Sequence, residues 1–251
     1  VDGKIQKVGV EMQESALYEF TCSSGHESKI YITNPKYDIL FEAGLQAISE
    51  GYYREAVFNF SASLERFYEY YMVALMLYSG NNYKDEDFQE IWKRLEKQSE
   101  RQLGAFWMLY YGIFGKLPLF FDNKYLKEHG LRLYVKDNDP IYFRNIVTHQ
   151  GHFPTYNQAV AYGEAINRYM YYLKTLHKKP LRQNSFTFYQ SLSTAQHIMF
   201  FRIPRVAYVP GAPSRWSFPT FINDIWATHE GDYSEEYFVY KNLIDKFPLQ
   251  S

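Results

Sequence analysis

Arg144 and His149 stand at the two ends of Arg144-Asn145-Ile146-Val147-Thr148-His149, with an amide and a hydroxyl between them. A guanidinium stabilises concentrated negative charge, and an imidazole is the side chain whose ordinary ionisation lies nearest neutral pH. No nucleophilic side chain accompanies the pair. The seven histidines of the chain are scattered, with no two at i and i+4, which disfavours metal-dependent chemistry. The reaction best suited to such a pair is one whose substrate brings its own nucleophile. RNA cleavage is of that kind: the ribose 2′-hydroxyl attacks its own phosphate once deprotonated, so the protein only moves protons and stabilises a phosphorane. His149 would carry the protons and Arg144 the charge. Because the reaction profits from both an acid and a base, a symmetric homodimer facing two copies of this segment is a mechanistic expectation.

The elements that must position this pair are legible around it. Asp139-Pro140 places a carboxylate N-cap before a proline at the first helical position, and Gly151 supplies a stop, so a short helix is predicted between them. At roughly 100° per residue from Arg144, Thr148, Asn145 and His149 fall near 40°, 100° and 140°. Tyr142, Ile146, Phe143 and Val147 occupy the arc from roughly 160° to 300°, the face expected to bury. His149 lies in the last turn of the predicted helix.

With 251 residues the chain can bury a large core, and its 27 basic and 28 acidic residues give a formal net charge of −1. No global field therefore draws it to nucleic acid. The most basic stretch, Lys174 to Arg182, reads as a solvated helix end in preference to a phosphate-binding patch. Twenty-five Tyr and 20 Phe exceed what a core usually requires, a surplus typical of subunit interfaces or base-stacking surfaces. The single cysteine, Cys22, excludes an intrachain disulfide and fits a reducing compartment. The longest apolar stretch, Tyr70 to Tyr78, is too short to span a bilayer, and no leader pattern opens the sequence given, so a soluble, cytoplasmic protein is expected.

Residues 1–35 are predicted to form an N-terminal β-hairpin extension, carried by the alternation of Leu17 to Cys22 and Lys29 to Thr33 about Gly25. Cys22 and His26 offer only half of a closed zinc site and are read as structural. Residues 36–180 read as a helical bundle. A helix from Lys36 to Glu50 ends at Gly51, and Tyr53, Val57, Phe60, Leu64, Phe67, Tyr71, Ala74 and Tyr78 form the seam of a long one. Arg54, Ser61, Glu65 and Met72 share one polar edge of that helix to within about 20°. Asp85 to Leu103 and Ala105 to Phe114 read as two further helices, and Pro118 to Gly130 has room for one more. Thr155-Tyr156-Asn157-Gln158 is a capping box that opens a helix with the seam Ala159, Tyr162, Ile166, Tyr169, Leu173 and Leu176. Residues 181–251 read as an irregular, partly extended, proline-punctuated appendage packed on the bundle, with a terminal helix at Glu235 to Asp245.

The segment Arg144 to Gly151, followed by a helix led by Pro154-Thr155, resembles the R-x4-6-H motif of the HEPN family (higher eukaryote and prokaryote nucleotide-binding). Gly51 to Val57, running on to Phe67, is similar to the first long helix of that family. The resemblance covers roughly Lys36 to Lys179. It implies an all-α antiparallel bundle that dimerises with its motif helices meeting in a cleft. In catalytic members it further implies a metal-independent endoribonuclease needing no cofactor, often a toxin or an abortive-infection effector in antiviral defence. Carried over by position, Arg144 and His149 match the catalytic pair and Asn145 the polar residue between them. Glu65 is the candidate acidic residue that orients the arginine, with a surface salt bridge to Arg54 or Arg66 as the alternative. RNA, a second copy of the chain and an antitoxin or regulatory protein are the implied partners. The competing reading is a non-catalytic HEPN module that binds a nucleotide or a partner protein. His152 reads as a loop residue, with contact to substrate as the alternative, and Arg168 as a surface or interface charge.

Overall fold

The computed structural model describes residues 17–21, 25–32, 34–80, 83–177, 187–201 and 214–216. Strands β1 (Leu17–Thr21) and β2 (Glu27–Ile32) pair antiparallel, Leu17 opposite Tyr31, and β3 (Ser214–Trp216) adds to β2 in parallel. The helices follow: α1 (Lys36–Ser49), α2 (Tyr53–Tyr78), α3 (Asp85–Leu95), α4 (Ser99–Phe114), α5 (Asn123–Glu128), α6 (Pro140–His149), α7 (Tyr156–Thr175) and α8 (Phe188–Phe201). The fold is therefore an all-α bundle with a small N-terminal β-hairpin. Cys22 and Glu235 to Asp245 lie outside the described residues.

The axis of the bundle is α2, which packs against α1, α4, α6, α7 and α8. Its seam is buried from Val57 to Tyr78, while Tyr53, at the first turn, is partly exposed against the Tyr156 ring. Phe60 holds the centre. Its ring fills the space beside Gly44 of α1 and Gly163 of α7, where an added Cβ would come within 2.5 Å and 2.7 Å of ring carbons. Glycine is thus required at both positions for three helices to close on one aromatic side chain.

Helix boundaries follow local chemistry. Gly51, at φ +82°, turns the chain between α1 and α2. The Thr155 hydroxyl and Gln158 side chain complete the capping box of α7. The break between α3 and α4 falls at residues 96–98, earlier than the sequence pattern indicates, because Gln98 is extended and the Gln102 amide takes up the Glu96 carbonyl. Gly104 lies inside α4.

Two expectations for the chain beyond α7 need correction. The stretch 188–201 is helical where an irregular, partly extended chain was expected: Phe188, Leu192 and Ala195 recur at helical spacing and are buried against the bundle. The end of α7 is covered instead of solvated. Lys174 donates to Tyr37 Oη at 2.9 Å and lies 5.1–5.7 Å from the Tyr37, Phe67 and Tyr70 ring centres. His177 stacks on Phe114 at 3.9 Å and meets Phe188 of α8 edge-on.

Candidate functional site

The motif helix α6 is built as its caps require. Asp139 Oδ1 accepts from the Ile141 and Tyr142 amides at 2.8 Å and 3.2 Å, Pro140 occupies the first position, and Gly151 at φ +71° ends the helix. The chain turns back there, and both Gln150 and His152 donate their amides to the Ile146 carbonyl at 3.1 Å. Phe143 and Val147 are fully buried and Ile146 partly so. Tyr142, expected on the buried arc, is 40% exposed, because the inward face is centred on Phe143 and Val147 and leaves residue 142 at its margin.

Three of the four candidate residues come together. Arg144 Nη2 lies 3.2 Å from Glu65 Oε1 and 3.4 Å from Ser99 Oγ, and Nη1 donates to Asn145 Oδ1 at 3.2 Å. Three of the five guanidinium N–H donors are thereby committed to protein, which leaves two for a ligand. The side chains of Arg144 and Glu65 are 23% and 28% exposed, so the pair is held at the edge of the core. Glu65 therefore pairs with Arg144, while Arg66 pairs with Glu69 at 3.1 Å. Burial pushes the Glu65 carboxyl above the usual carboxylate range, and the Arg144 and Arg66 charges oppose that rise.

The polar edge of α2 supports this site along its length. Ser61 Oγ and Tyr162 Oη lie 3.0 Å apart. Burial pushes the Tyr162 hydroxyl up to about 12, with the Ser61 hydrogen bond and Arg144 opposing. Arg54 Nε donates to the Val147 carbonyl at 3.4 Å and so anchors the C-terminal end of α6. Sequence reading placed Arg54 and Glu65 on one edge but missed that this edge faces α6. Ser99 and Tyr162 were also missed as members of the site. Tyr162 was legible only as a seam residue, and Ser99 carries no local signal because it arrives from α4 across the bundle.

His149 stands apart from this network. It is exposed, and no hydrogen bond or ion pair holds its ring among the described residues. Within one chain the guanidinium is held against α2 and α4 while the imidazole, roughly 140° round α6 from it, is exposed. His152 is partly buried, with Nε2 lacking a hydrogen-bond partner among the described residues. Arg168 is partly buried and paired with Glu164 at 2.8 Å. No group of three or more metal-ligating side chains exists among the described residues. Nor is any of their helices long and apolar enough to cross a membrane.

No family model matches the chain, and neither a curated protein nor a solved structure matches it.

Proposed function

We propose that this protein is a metal-independent endoribonuclease of the HEPN type, acting as a homodimer in the cytoplasm. The observation that carries the reading is the division of labour on α6, with Arg144 fixed by Glu65, Ser99 and Asn145 while His149 is exposed and uncommitted. A held guanidinium is preorganised for a charge that develops in the transition state, and a free imidazole is available for proton transfer. One histidine takes the proton of the ribose 2′-hydroxyl, whose oxygen attacks phosphorus. The leaving 5′-oxygen receives its proton from the second copy's histidine. Products are a 2′,3′-cyclic phosphate and a 5′-hydroxyl. Exposed Ile141 and Tyr142, about two turns before His149 on α6, give a second copy apolar surface on the motif helix. A toxin or antiviral-defence role, restrained by an antitoxin or regulatory protein, follows from the same reading.

Purified wild type, His149→Ala and Arg144→Ala are to be incubated with labelled RNA in EDTA. Cleavage that survives chelation, leaves cyclic phosphate ends and vanishes in both variants supports the enzyme. Equal activity in all three assigns it elsewhere. Inactivity of all three favours a non-catalytic module that binds a nucleotide or a partner protein.

A further inference from the structure

Three aromatic rings are left in solvent at the end of the bundle where α6 terminates: Phe153 is 79% exposed, Tyr52 64% and Tyr134 57%. Three contacts bring their segments together. Arg54 bonds the Val147 carbonyl, which sets the start of α2, and with it Tyr52, against the last turn of α6. The Tyr53 and Tyr156 rings, 5.8 Å apart, join the same turn of α2 to the start of α7. Gln158 completes the link, with Oε1 accepting from the Thr155 amide and Nε2 donating to the Tyr134 carbonyl at 3.1 Å. The loop carrying Phe153 is thereby tied to the loop carrying Tyr134.

The Tyr134 loop is built to hold its ring outward. Tyr134 itself has φ +58°, a region bulky side chains rarely enter, and Asn138 fastens the turn through Leu133 N at 2.7 Å and Leu131 O at 2.8 Å. Arg132 lies over the ring at 5.2 Å. Arg132 and Arg54 have no carboxylate partner among the described residues. Two guanidiniums without a carboxylate partner beside exposed rings suit a polyanion with flat bases better than a continuous apolar partner surface.

We propose that Phe153, Tyr52 and Tyr134 are base-stacking platforms that seat single-stranded RNA against the motif helix, with Arg54 and Arg132 taking its phosphates. The assignment rests on the nuclease reading for its substrate, but its test reads binding and not cleavage. The probe is a short, unstructured, fluorescein-labelled RNA, followed by anisotropy with the His149→Ala protein so that the strand stays intact. Adding Phe153→Ala is expected to weaken binding about five- to tenfold. Phe153→Trp restores the affinity and Phe153→Leu does not, because stacking needs a π face where simple apolar contact does not. The same sequence as a duplex binds more weakly.

Unchanged affinity in Phe153→Ala, or full affinity in Phe153→Leu, overturns the proposal. So does a sedimentation shift from dimer to monomer in Phe153→Ala, which would assign the ring to a protein interface. A wild type that cuts no RNA beside an intact stacking series refutes the nuclease reading alone. Cutting that depends on His149, with binding indifferent to Phe153, refutes the stacking assignment alone.

Discussion

The Arg144 guanidinium and the Glu65 carboxylate meet at 3.2 Å across 79 residues of sequence, joining the short motif helix to α2, the longest helix among the described residues. Burial at the edge of the core costs Glu65 solvation and raises its pKa, and the Arg144 charge offsets part of that rise. Glu65→Gln keeps an acceptor but removes the charge. On the nuclease reading, kcat is expected to fall about tenfold while RNA affinity changes less than about twofold, since the guanidinium is mispositioned but present. Steady-state cleavage with separate kcat and KM values, beside direct binding, checks this. A loss confined to KM would show that Glu65 acts on substrate binding instead.

The Asp139 cap offers a test of how firmly the site is supported. Its carboxylate satisfies two of the exposed amides at the start of α6, and Asp139→Ala leaves both to water. A loss of about 1 kcal/mol in urea unfolding is expected, and Asp139→Asn should recover most of it. If Asp139→Ala is as stable as wild type, the helix is held by Phe143 and Val147 packing alone.

Signals local in the chain were legible, and those that depend on a neighbour were not. Asp139-Pro140, Gly151 and the Thr155–Gln158 box state their own geometry, so α6 and the start of α7 could be placed before any packing was known. The seam of α2 was legible because eight apolar residues repeat at helical spacing. What the sequence could not supply was direction. Nothing in Lys174 or His177 says that α1, α4 and α8 close over them, so both read as solvent-facing. Nothing near Ser99 says that it meets Arg144. The helix α8 was not anticipated, because the prolines that follow it outweigh the helical spacing of Phe188, Leu192 and Ala195, whose burial needs the bundle.

Phe60 predicts a pair of costly substitutions. Gly44→Ala and Gly163→Ala each drive a methyl group into its ring, and each should lose about 1–3 kcal/mol in urea unfolding. Phe60→Leu vacates part of that space, so adding it to either alanine should cost less than the sum of the single changes. Gly104→Ala is the control: nothing lies within 4 Å of its Cβ position, and a gain of about 0.5–1 kcal/mol is expected from helix propensity. Strict additivity of Phe60→Leu with Gly163→Ala would show that the close approach is relieved by backbone movement.

His177 makes the bundle acid-sensitive. Burial among Phe114, Tyr110, Tyr78 and Phe188, with Lys116 nearby, lowers its pKa to about 4, where an unfolded histidine ionises near about 6.5. As pH falls, the unfolded chain takes up this proton first. The stability associated with neutral His177 is therefore full above about pH 6.5 and is lost as pH drops toward 4. Between pH 7 and pH 5 the loss from this residue should be about 1 kcal/mol, allowing for the part of the ring that stays screened by solvent. His177→Phe keeps an aromatic ring against Phe114 and Phe188 but cannot titrate. Its urea midpoint should therefore fall less than that of wild type over this interval. If the two proteins lose stability in parallel, acid sensitivity belongs to other groups, and His177 remains neutral or leaves its socket without cost.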